Sequence, residues 1–245
     1  MRLGRPRFSS QTQVYPPTVR IPALPCIPSE FSFTTNYTLA LQSTLMARPA
    51  LGMDMFDDYV WLNEPRVWSV DEGHLSFTTD HGTDFWRVTH YGFIRDTGHF
   101  LGVKQGGGFT AQAKISGDFH ELYDQAGFMV RIDEKRWAKI IVEVNDGALF
   151  LSTVLTDGVS DWATSSFEGS SEGFWLRVTV NNGVIKVQTS TDGQHWPLVR
   201  LAPFPVANDY WVGPMACTPE RGGLKVRFSD VSVTAPNGKG LHDLT

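Results

Sequence analysis

Four polar side chains that could bind a ligand or move a proton recur at alternate positions of two β-type runs. Gln125 and Arg131 lie on the first run, and Lys139 and Glu143 lie on the second. Successive side chains of a strand point to opposite faces, so all four share one face if a turn at 133–136 joins the runs. A carboxylate, an ammonium and an amide on one face suit either a polyhydroxylated ligand or proton transfer.

Further candidates come from outside this strand pair. Flat aromatic rings beside hydrogen-bonding groups are what a sugar or another polyoxygenated ligand needs. The large aromatic residues near the pair in this interpretation are Trp61, Trp86, Tyr91, Trp137 and Trp162. The predicted ligand-binding residues are Asn63, Asp84, Trp86, Tyr123, Gln125, Arg131, Lys139, Glu143 and Trp162. In an enzyme, Glu143 or Asp84 would be the general base and Lys139 the electrostatic stabiliser.

The same pattern also predicts which side of the strand pair is core. The core face carries Ala126, Phe128, Val130 and Ile132 on the first strand and Ala138, Ile140, Val142 and Val144 on the second. The register places Gln125 near Glu143 and Met129 near Lys139, with Ser152 of the next strand beside them. Because it mixes charged and apolar residues, this second face is predicted not to be core. The competing interpretation is an ordinary solvated face with a cross-strand ion pair, which contributes at most about 1 kcal/mol.

Turn signals recur every ~8–12 residues between β-type runs, as expected of a sandwich or barrel. The clearest is Asn182-Gly183, flanked by the runs 175–180 and 184–188. Both turn residues tolerate a positive φ, so this pair predicts a two-residue hairpin. No window of twelve or more residues keeps helical apolar spacing. The sequence therefore predicts one antiparallel all-β sandwich domain over residues 53–245.

The first 52 residues differ from the rest in composition. They hold seven of the 14 prolines, five arginines, no lysine and a single acid, Glu30. We expect a poorly ordered Pro/Arg/Ser-rich extension over residues 1–52. A mitochondrial transit peptide is the less favoured alternative, because the prolines would break its amphipathic helix. Another explanation is that the functional polypeptide begins at Met53.

Composition narrows the choice of partner and compartment. The net charge of −5 offers no long-range attraction to phosphate backbones, so no nucleic-acid partner is expected. No run approaches the ~18 apolar residues of a membrane span, so no membrane partner is expected. The two cysteines, Cys26 and Cys217, lie far apart and do not suggest a disulfide framework. These features predict a cytoplasmic protein.

Six short motifs carry a resemblance to a known family. They are 61–65 (WLNEP), 83–87 (TDFWR), 91–93 (YGF), 123–127 (YDQAG), 137–139 (WAK) and 160–162 (SDW). Together they resemble the regulation-of-enolase-type family, a domain of unknown function in the concanavalin A-like lectin/glucanase superfamily. The resemblance covers roughly residues 56–233. It implies a two-sheet, jelly-roll-like sandwich whose concave face carries Gln125, Lys139 and Glu143, and it brings no catalytic residues.

Other chemistries lack their residue patterns. Glucanases of that superfamily use carboxylates spaced Glu-x-Asp-x-x-Glu on one strand, and this sequence has no such triplet. A non-local pair such as Asp84 with Glu143 leaves glycoside hydrolysis open but disfavoured. The histidines lack the spacing of a metal site, and no phosphate loop, dinucleotide fingerprint or nucleophile elbow occurs. We therefore expect neither a metal nor a cofactor.

Three functions are left open by the sequence. The leading hypothesis is a regulatory or ligand-binding domain that holds a carbohydrate or another polyoxygenated metabolite on the concave sheet. The alternative is a metal-independent isomerase, lyase or cyclase acting on a small metabolite in the same cleft. The third is an interaction module whose face or sheet edge docks a metabolic enzyme.

Overall fold

The computed structural model describes residues 55–245, so the predicted extension over 1–52 lies outside the described residues. The described chain forms sixteen β-strands. They are β1 (Val60–Leu62), β2 (Val67–Asp71), β3 (His74–Thr78), β4 (Phe85–Arg87), β5 (Ile94–Asp96), β6 (His99–Gly106), β7 (Phe109–Gly117), β8 (Gln125–Arg131), β9 (Arg136–Asn145), β10 (Ala148–Asp157), β11 (Val159–Ser166), β12 (Phe174–Asn181), β13 (Val184–Ser190), β14 (Leu198–Pro203), β15 (Asp209–Cys217) and β16 (Lys225–Thr234). Within this part of the chain, no helix is long and apolar enough to span a lipid bilayer.

Two seven-stranded sheets make up the sandwich. The front sheet has the order β1-β6-β15-β8-β9-β10-β11, and the back sheet has the order β14-β13-β12-β7-β16-β3-β2. Neighbouring strands pair antiparallel, including the central β8, β9 and β10. A separate two-stranded hairpin, β4-β5, belongs to neither sheet. The predicted antiparallel two-sheet sandwich is therefore confirmed.

The main core lies between the two sheets. Ala126, Phe128, Val130 and their β9 counterparts Ala138, Ile140 and Val142 are fully buried there, as the alternation predicts. The back sheet contributes similar apolar residues, among them Phe109, Leu176, Val178 and Phe228. Burying such side chains contributes about 1.5–3 kcal/mol each, so this layer provides most of the driving force for folding.

The other face of the front sheet is also buried, and the prediction that it is not core is wrong. Met129, Trp137 and Ile141 are each 0% exposed and form a second apolar cluster with Phe85 and Trp86. The cover is the hairpin β4-β5, which folds back across β8, β9 and β10. Alternation alone could not reveal it, because it comes from a distant segment. The front sheet is thus a middle layer with apolar contacts on both sides.

The hairpin predicted at Asn182-Gly183 is confirmed. Strands β12 and β13 pair from Asn181 opposite Val184, which leaves a two-residue loop. Asn182 has φ 49° and Gly183 has φ 78°. Left-handed φ at both positions is the geometry that matches the twist of paired strands, and asparagine followed by glycine adopts it at low cost.

Candidate functional site

A half-closed pocket of about 270 Å³ lies where the hairpin leaves part of the front sheet uncovered. Strands β8, β9 and β10 form its floor, and the hairpin forms one wall. Strand β11 and the loop between β15 and β16 complete it. The lining residues are Asp84, Trp86, Tyr91, Phe93, Arg95, Tyr123, Gln125, Lys139, Glu143, Val154, Trp162, Pro219 and Glu220.

The strand register brings the polar floor together. Gln125 lies opposite Glu143 and Met129 lies opposite Lys139, as predicted. Ser152 of β10 donates a hydrogen bond to Glu143 at 2.5 Å, so the third strand also contributes as expected. Because the register is fixed by two buried faces, a shift of one residue would place charged groups in the main core. The floor geometry is therefore tightly determined.

Lys139 is held as a buried cation at the centre of the floor. Its side chain is only 4% exposed, and its Nζ donates to Gln125 Oε1 at 2.8 Å and to Asp84 Oδ1 at 3.3 Å. Burial lowers the pKa of Lys139, but attraction to anionic neighbours, Asp84 above all, outweighs burial and leaves that pKa raised. Lys139 therefore acts as a fixed positive charge and hydrogen-bond donor, not as an amine nucleophile.

Glu143 is a buried carboxyl with one oxygen already occupied. Its Oε1 accepts from Ser152 Oγ and from Trp162 Nε1, the latter at 3.1 Å. Burial raises the pKa of Glu143, and the opposing effects of the Ser152 hydrogen bond and of Lys139 only partly offset it. Its Oε2 has no hydrogen-bond donor among residues 55–245. This carboxyl can therefore offer a ligand either an acceptor or a proton.

Aromatic rings form the rim of the pocket. Trp86 and Trp162 meet edge to face, with ring centroids 6.3 Å apart. The hydroxyls of Tyr91 and Tyr123 lie 3.3 Å from one another and link opposite sides of the rim. Trp162 is 37% exposed and Tyr91 is 46% exposed, so apolar ring surface remains open to a ligand. Such faces suit the C–H side of a sugar ring or a similar compact polyol.

The two tyrosine-bearing loops have backbone conformations that non-glycine residues rarely adopt. Val88, His90 and Tyr123 have φ of 62°, 64° and 62°. For a β-branched valine this region is a strong outlier, at a cost of order 1–3 kcal/mol. The hairpin loop is held by Val88 N donating to Phe93 O at 2.8 Å and by Trp86 Nε1 donating to Thr89 O at 2.9 Å. These bonds fix Tyr91 at the rim.

Seven of the nine predicted ligand-binding residues line this pocket, and two do not. Asn63 instead donates to the backbone oxygens of Asp96 and Gly98, both at 2.9 Å. Arg131 forms a two-pronged ion pair with the Asp96 carboxylate, at 2.7 Å for each bond. Both residues therefore brace strand β5 of the hairpin. They are structural supports of the wall and do not line the pocket.

Two of the five aromatic residues grouped with the site also lie elsewhere. Trp137 is fully buried beneath Phe85, with ring centroids 6.2 Å apart. Trp61 packs edge to face against Trp68 and Phe77, outside the pocket. Neither ring is available to a ligand in the pocket. Both are large aromatic residues, as expected of a sugar site, but they pack around the pocket and do not line it.

The lining residues that the sequence did not predict are Phe93, Arg95, Val154, Pro219 and Glu220. Only Arg95 of this set lies on β5, and Gly92 with φ 74° interrupts the extended backbone between Tyr91 and Phe93, so period-two spacing does not place Tyr91, Phe93 and Arg95 on one face. The register pairs Trp86 with Arg95 across the hairpin. Glu220 lies in the loop after β15, and nothing in its local sequence indicates that this loop returns to the pocket.

Glu143→Gln is expected to change how stability depends on pH. The pKa of Glu143 is raised in the folded state. Its contribution to folding stability is therefore fully present below the ordinary pKa of 4.5 and is lost as pH rises through the folded-state pKa. The substitution removes this loss. Above pH 4.5 the free energy of unfolding of the variant should therefore rise relative to that of wild type, by at most about 1.4 kcal/mol per pH unit. Urea unfolding of both proteins from pH 4 to pH 8 measures the difference.

The control for this prediction is Glu172→Gln, since Glu172 is an exposed glutamate outside the pocket. It should change stability by less than about 0.5 kcal/mol. A wild-type to Glu143→Gln difference that stays constant over the whole pH range would show that Glu143 does not titrate differently in the folded protein.

Comparison with known proteins places this architecture among relatives. Residues 61–236 match a family described as "Protein of unknown function (DUF1349)". The chain is 58% identical over 185 residues to "Regulation of enolase protein 1" of Saccharomyces cerevisiae, covering 76% of this chain and 93% of the yeast protein.

Solved structures agree with the fold. A crystal structure of a functionally unknown protein from Saccharomyces cerevisiae superposes with a TM-score of 0.73 at 56% identity, covering 75% of this chain and 99% of that one. A GH43 protein from Bacillus licheniformis superposes with a TM-score of 0.54 at 15% identity, covering 73% of this chain but 37% of that chain. The second likeness is a likeness of fold alone, that of a β-sandwich.

Proposed function

Because this chain belongs to the DUF1349 family, whose description assigns no function, we propose its function from the geometry of the pocket. The resemblance to regulation-of-enolase-type proteins is confirmed by the 58% identity to the yeast relative. The proposed function is the binding of a small polyoxygenated metabolite, such as a monosaccharide, by a cytoplasmic regulatory domain. The observation that carries this proposal is a compact pocket that combines buried donors and acceptors with exposed ring faces.

The size of the pocket favours a ligand of about one ring. A volume of about 270 Å³ lies just below the ~300–1,000 Å³ of pockets that hold drug-sized ligands. The hairpin and the loop after β15 close two sides, which disfavours an extended polysaccharide lying across the sheet. A single sugar ring or a compact sugar derivative fits this space better than a chain.

The polar groups are complementary to vicinal hydroxyls. The oxygens of Asp84 and Glu143 that accept no bond from residues 55–245 can accept from ligand hydroxyls. Lys139 can donate a further hydrogen bond, because an ammonium has three donors and two are used. Hydroxyls both donate and accept, so they can satisfy these groups together. Leaving such buried groups without partners costs about 1–3 kcal/mol each, which favours a polar ligand over an apolar one.

A regulatory role is supported by the name of the yeast relative, which refers to the regulation of enolase. We infer that ligand binding in the pocket changes the association of the chain with a metabolic enzyme. The activity of that enzyme would then depend on the concentration of the metabolite. This part of the proposal is tested by asking whether the ligand changes the association of the chain with such an enzyme. Loss of that dependence would leave ligand binding in place but remove the regulatory role.

A metal-independent isomerase, lyase or cyclase is the second candidate function. The observation that favours it is the buried Glu143, whose pKa is raised and whose Oε2 is not engaged by the described residues. Such a carboxyl keeps its proton to a higher pH than an ordinary glutamate and can exchange it with a ligand, and Lys139 could stabilise a developing negative charge. Turnover of a bound sugar, followed by NMR, would select this candidate over simple binding.

Trp162→Ala is expected to weaken ligand binding by about tenfold or more, because it removes both a ring face and a hydrogen bond to Glu143. The measurement is isothermal titration of the full chain with a panel of monosaccharides and their derivatives. Trp68→Ala is the matched control, since Trp68 is a 42% exposed tryptophan on the back sheet. Equal affinities for both variants and wild type would show that the ligand does not occupy this pocket.

A further inference from the structure

Arg95 is a cation in the pocket wall that the neutral-sugar contacts described above do not use. It lies on β5 opposite Trp86, and its side chain is half-buried. No hydrogen bond or ion pair joins it to any residue within 55–245, whereas the nearby Arg131 uses its guanidinium on Asp96. A guanidinium has five N–H donors, so Arg95 presents unused donors beside the pocket.

Aromatic stacking holds this guanidinium in place. Its central carbon lies 4.6 Å from the centroid of the Phe93 ring. The ring of Phe93 stacks in turn on Tyr91, with centroids 5.3 Å apart and an angle of 19° between planes. The three side chains form a ladder along one wall of the pocket. The ring contact is made by the central carbon, and no residue within 55–245 uses the N–H groups, so these donors are free to bind an oxyanion two-pronged.

Each carboxyl group of the pocket interacts with a residue other than Arg95 among residues 55–245. Asp84 pairs with Lys139, and Glu143 accepts hydrogen bonds from Ser152 and Trp162. Glu220 acts on Tyr123, where its negative charge helps to raise the tyrosine pKa, after the larger effects of the Tyr91 hydrogen bond and burial. No carboxylate within 55–245 forms an ion pair with Arg95. An anionic group that reaches the Arg95 side of the pocket would therefore meet an unpaired cation.

We propose that Arg95 determines specificity for an anionic ligand, so that the metabolite is a sugar acid or a sugar phosphate. This inference rests on the proposed function and adds the ligand class to it. The hydroxyls of the ring lie against the floor, and the carboxylate or phosphate lies against the guanidinium edge. The aromatic ladder fixes the orientation of Arg95 before the ligand arrives, which reduces the entropy lost on binding.

The test compares neutral and anionic members of matched sugar sets on the full chain. The probes are D-glucose, D-glucuronate and D-glucose 6-phosphate, with the same three forms of D-galactose, measured by isothermal titration. At least one anionic form is expected to bind about tenfold or more tightly than its neutral parent, as a charge-assisted two-pronged contact would give. Whether the uronate or the phosphate gains more identifies the anionic group.

Arg95→Gln should remove this preference. It should lower the affinity for the anionic form about tenfold or more and change the affinity for the neutral form less than about twofold. Arg95→Lys should restore only part of it, because an ammonium keeps the charge but lacks the planar fork. Arg227→Gln, on the exposed face of the back sheet, is the matched control and should leave every affinity unchanged. Thermal unfolding of each variant checks that the fold is intact.

Two results would overturn the inference in distinguishable ways. In the first, neutral forms bind as tightly as anionic forms and Arg95→Gln affects both alike. This result would reject an anionic ligand but would leave the proposed function in place. No binding by any probe to wild type would overturn the proposed function and this inference with it.

Discussion

Lys139→Met is expected to destabilise the folded domain by about 3–5 kcal/mol, because it leaves the Asp84 carboxylate desolvated without its cation. The two groups are 3.3 Å apart, and their side chains are only 4% and 10% exposed. Methionine fills similar space, so the loss arises from charge and hydrogen bonding more than from a cavity. Guanidinium chloride unfolding at pH 7, followed by tryptophan fluorescence, measures the change.

The double variant Lys139→Met/Asp84→Asn should recover more than half of that loss, since it removes the orphaned charge and keeps an acceptor for the Phe85 amide. Lys104→Met is the control, because Lys104 pairs with Asp209 on the surface with both side chains about half exposed. That surface pair contributes at most about 1 kcal/mol. A Lys139→Met effect as small as the control would mean that the floor of the pocket is hydrated and that its charges are screened.

Asp124→Ala is expected to destabilise the domain by about 3–5 kcal/mol and to weaken ligand binding as well. Asp124 is 0% exposed and accepts hydrogen bonds from Arg221 Nη2 at 2.6 Å and from the amides of His120 and Glu121 at 3.0 Å. Its chain neighbours are pocket residues, and Arg221 directly follows Glu220. The substitution therefore releases two loops of the pocket at once. Chemical unfolding and titration with the sugar panel measure the two effects.

Asp209→Ala serves as the control for this second variant, because Asp209 is 49% exposed and its ion pair lies outside the pocket. It should change stability by about 1 kcal/mol or less and leave affinity unchanged. The contrary result is an Asp124→Ala protein with lower stability but wild-type affinity. It would show that the two loops hold their positions without the Asp124–Arg221 pair. Ligand affinity would then depend on the hairpin side of the pocket alone.

The floor of the site could be predicted from sequence because it depends on period-two alternation and on one short turn. Once β8 and β9 are paired around residues 133–136, the positions of Gln125, Lys139 and Glu143 follow from the pleat. The Asn182-Gly183 hairpin followed in the same way from the dihedral preferences of its turn residues. These are local rules, and they were sufficient for the pairs β8-β9 and β12-β13.

The wall could not be predicted, because it depends on a contact between segments far apart in the chain. The hairpin β4-β5 is braced by Asn63 from before β2 and by Arg131 from the end of β8. Both residues were polar, close to the motifs and expected to bind a ligand. What decides their role is the position of Asp96, which no periodicity encodes. The same long-range contact made Met129, Trp137 and Ile141 core and brought Arg95 to the pocket.

The end of the hairpin carries residues that would contact the proposed ligand without belonging to either sheet. The floor side chains lie on strands whose opposite face is the main core. Most substitutions there should therefore change both the stability of the fold and the proposed ligand binding. Phe93 and Arg95 lie on a short segment outside both sheets. A change at position 93 or 95 can therefore alter the proposed ligand contacts while the core residues of the hairpin, Phe85 and Trp86, and the sandwich beneath them stay the same.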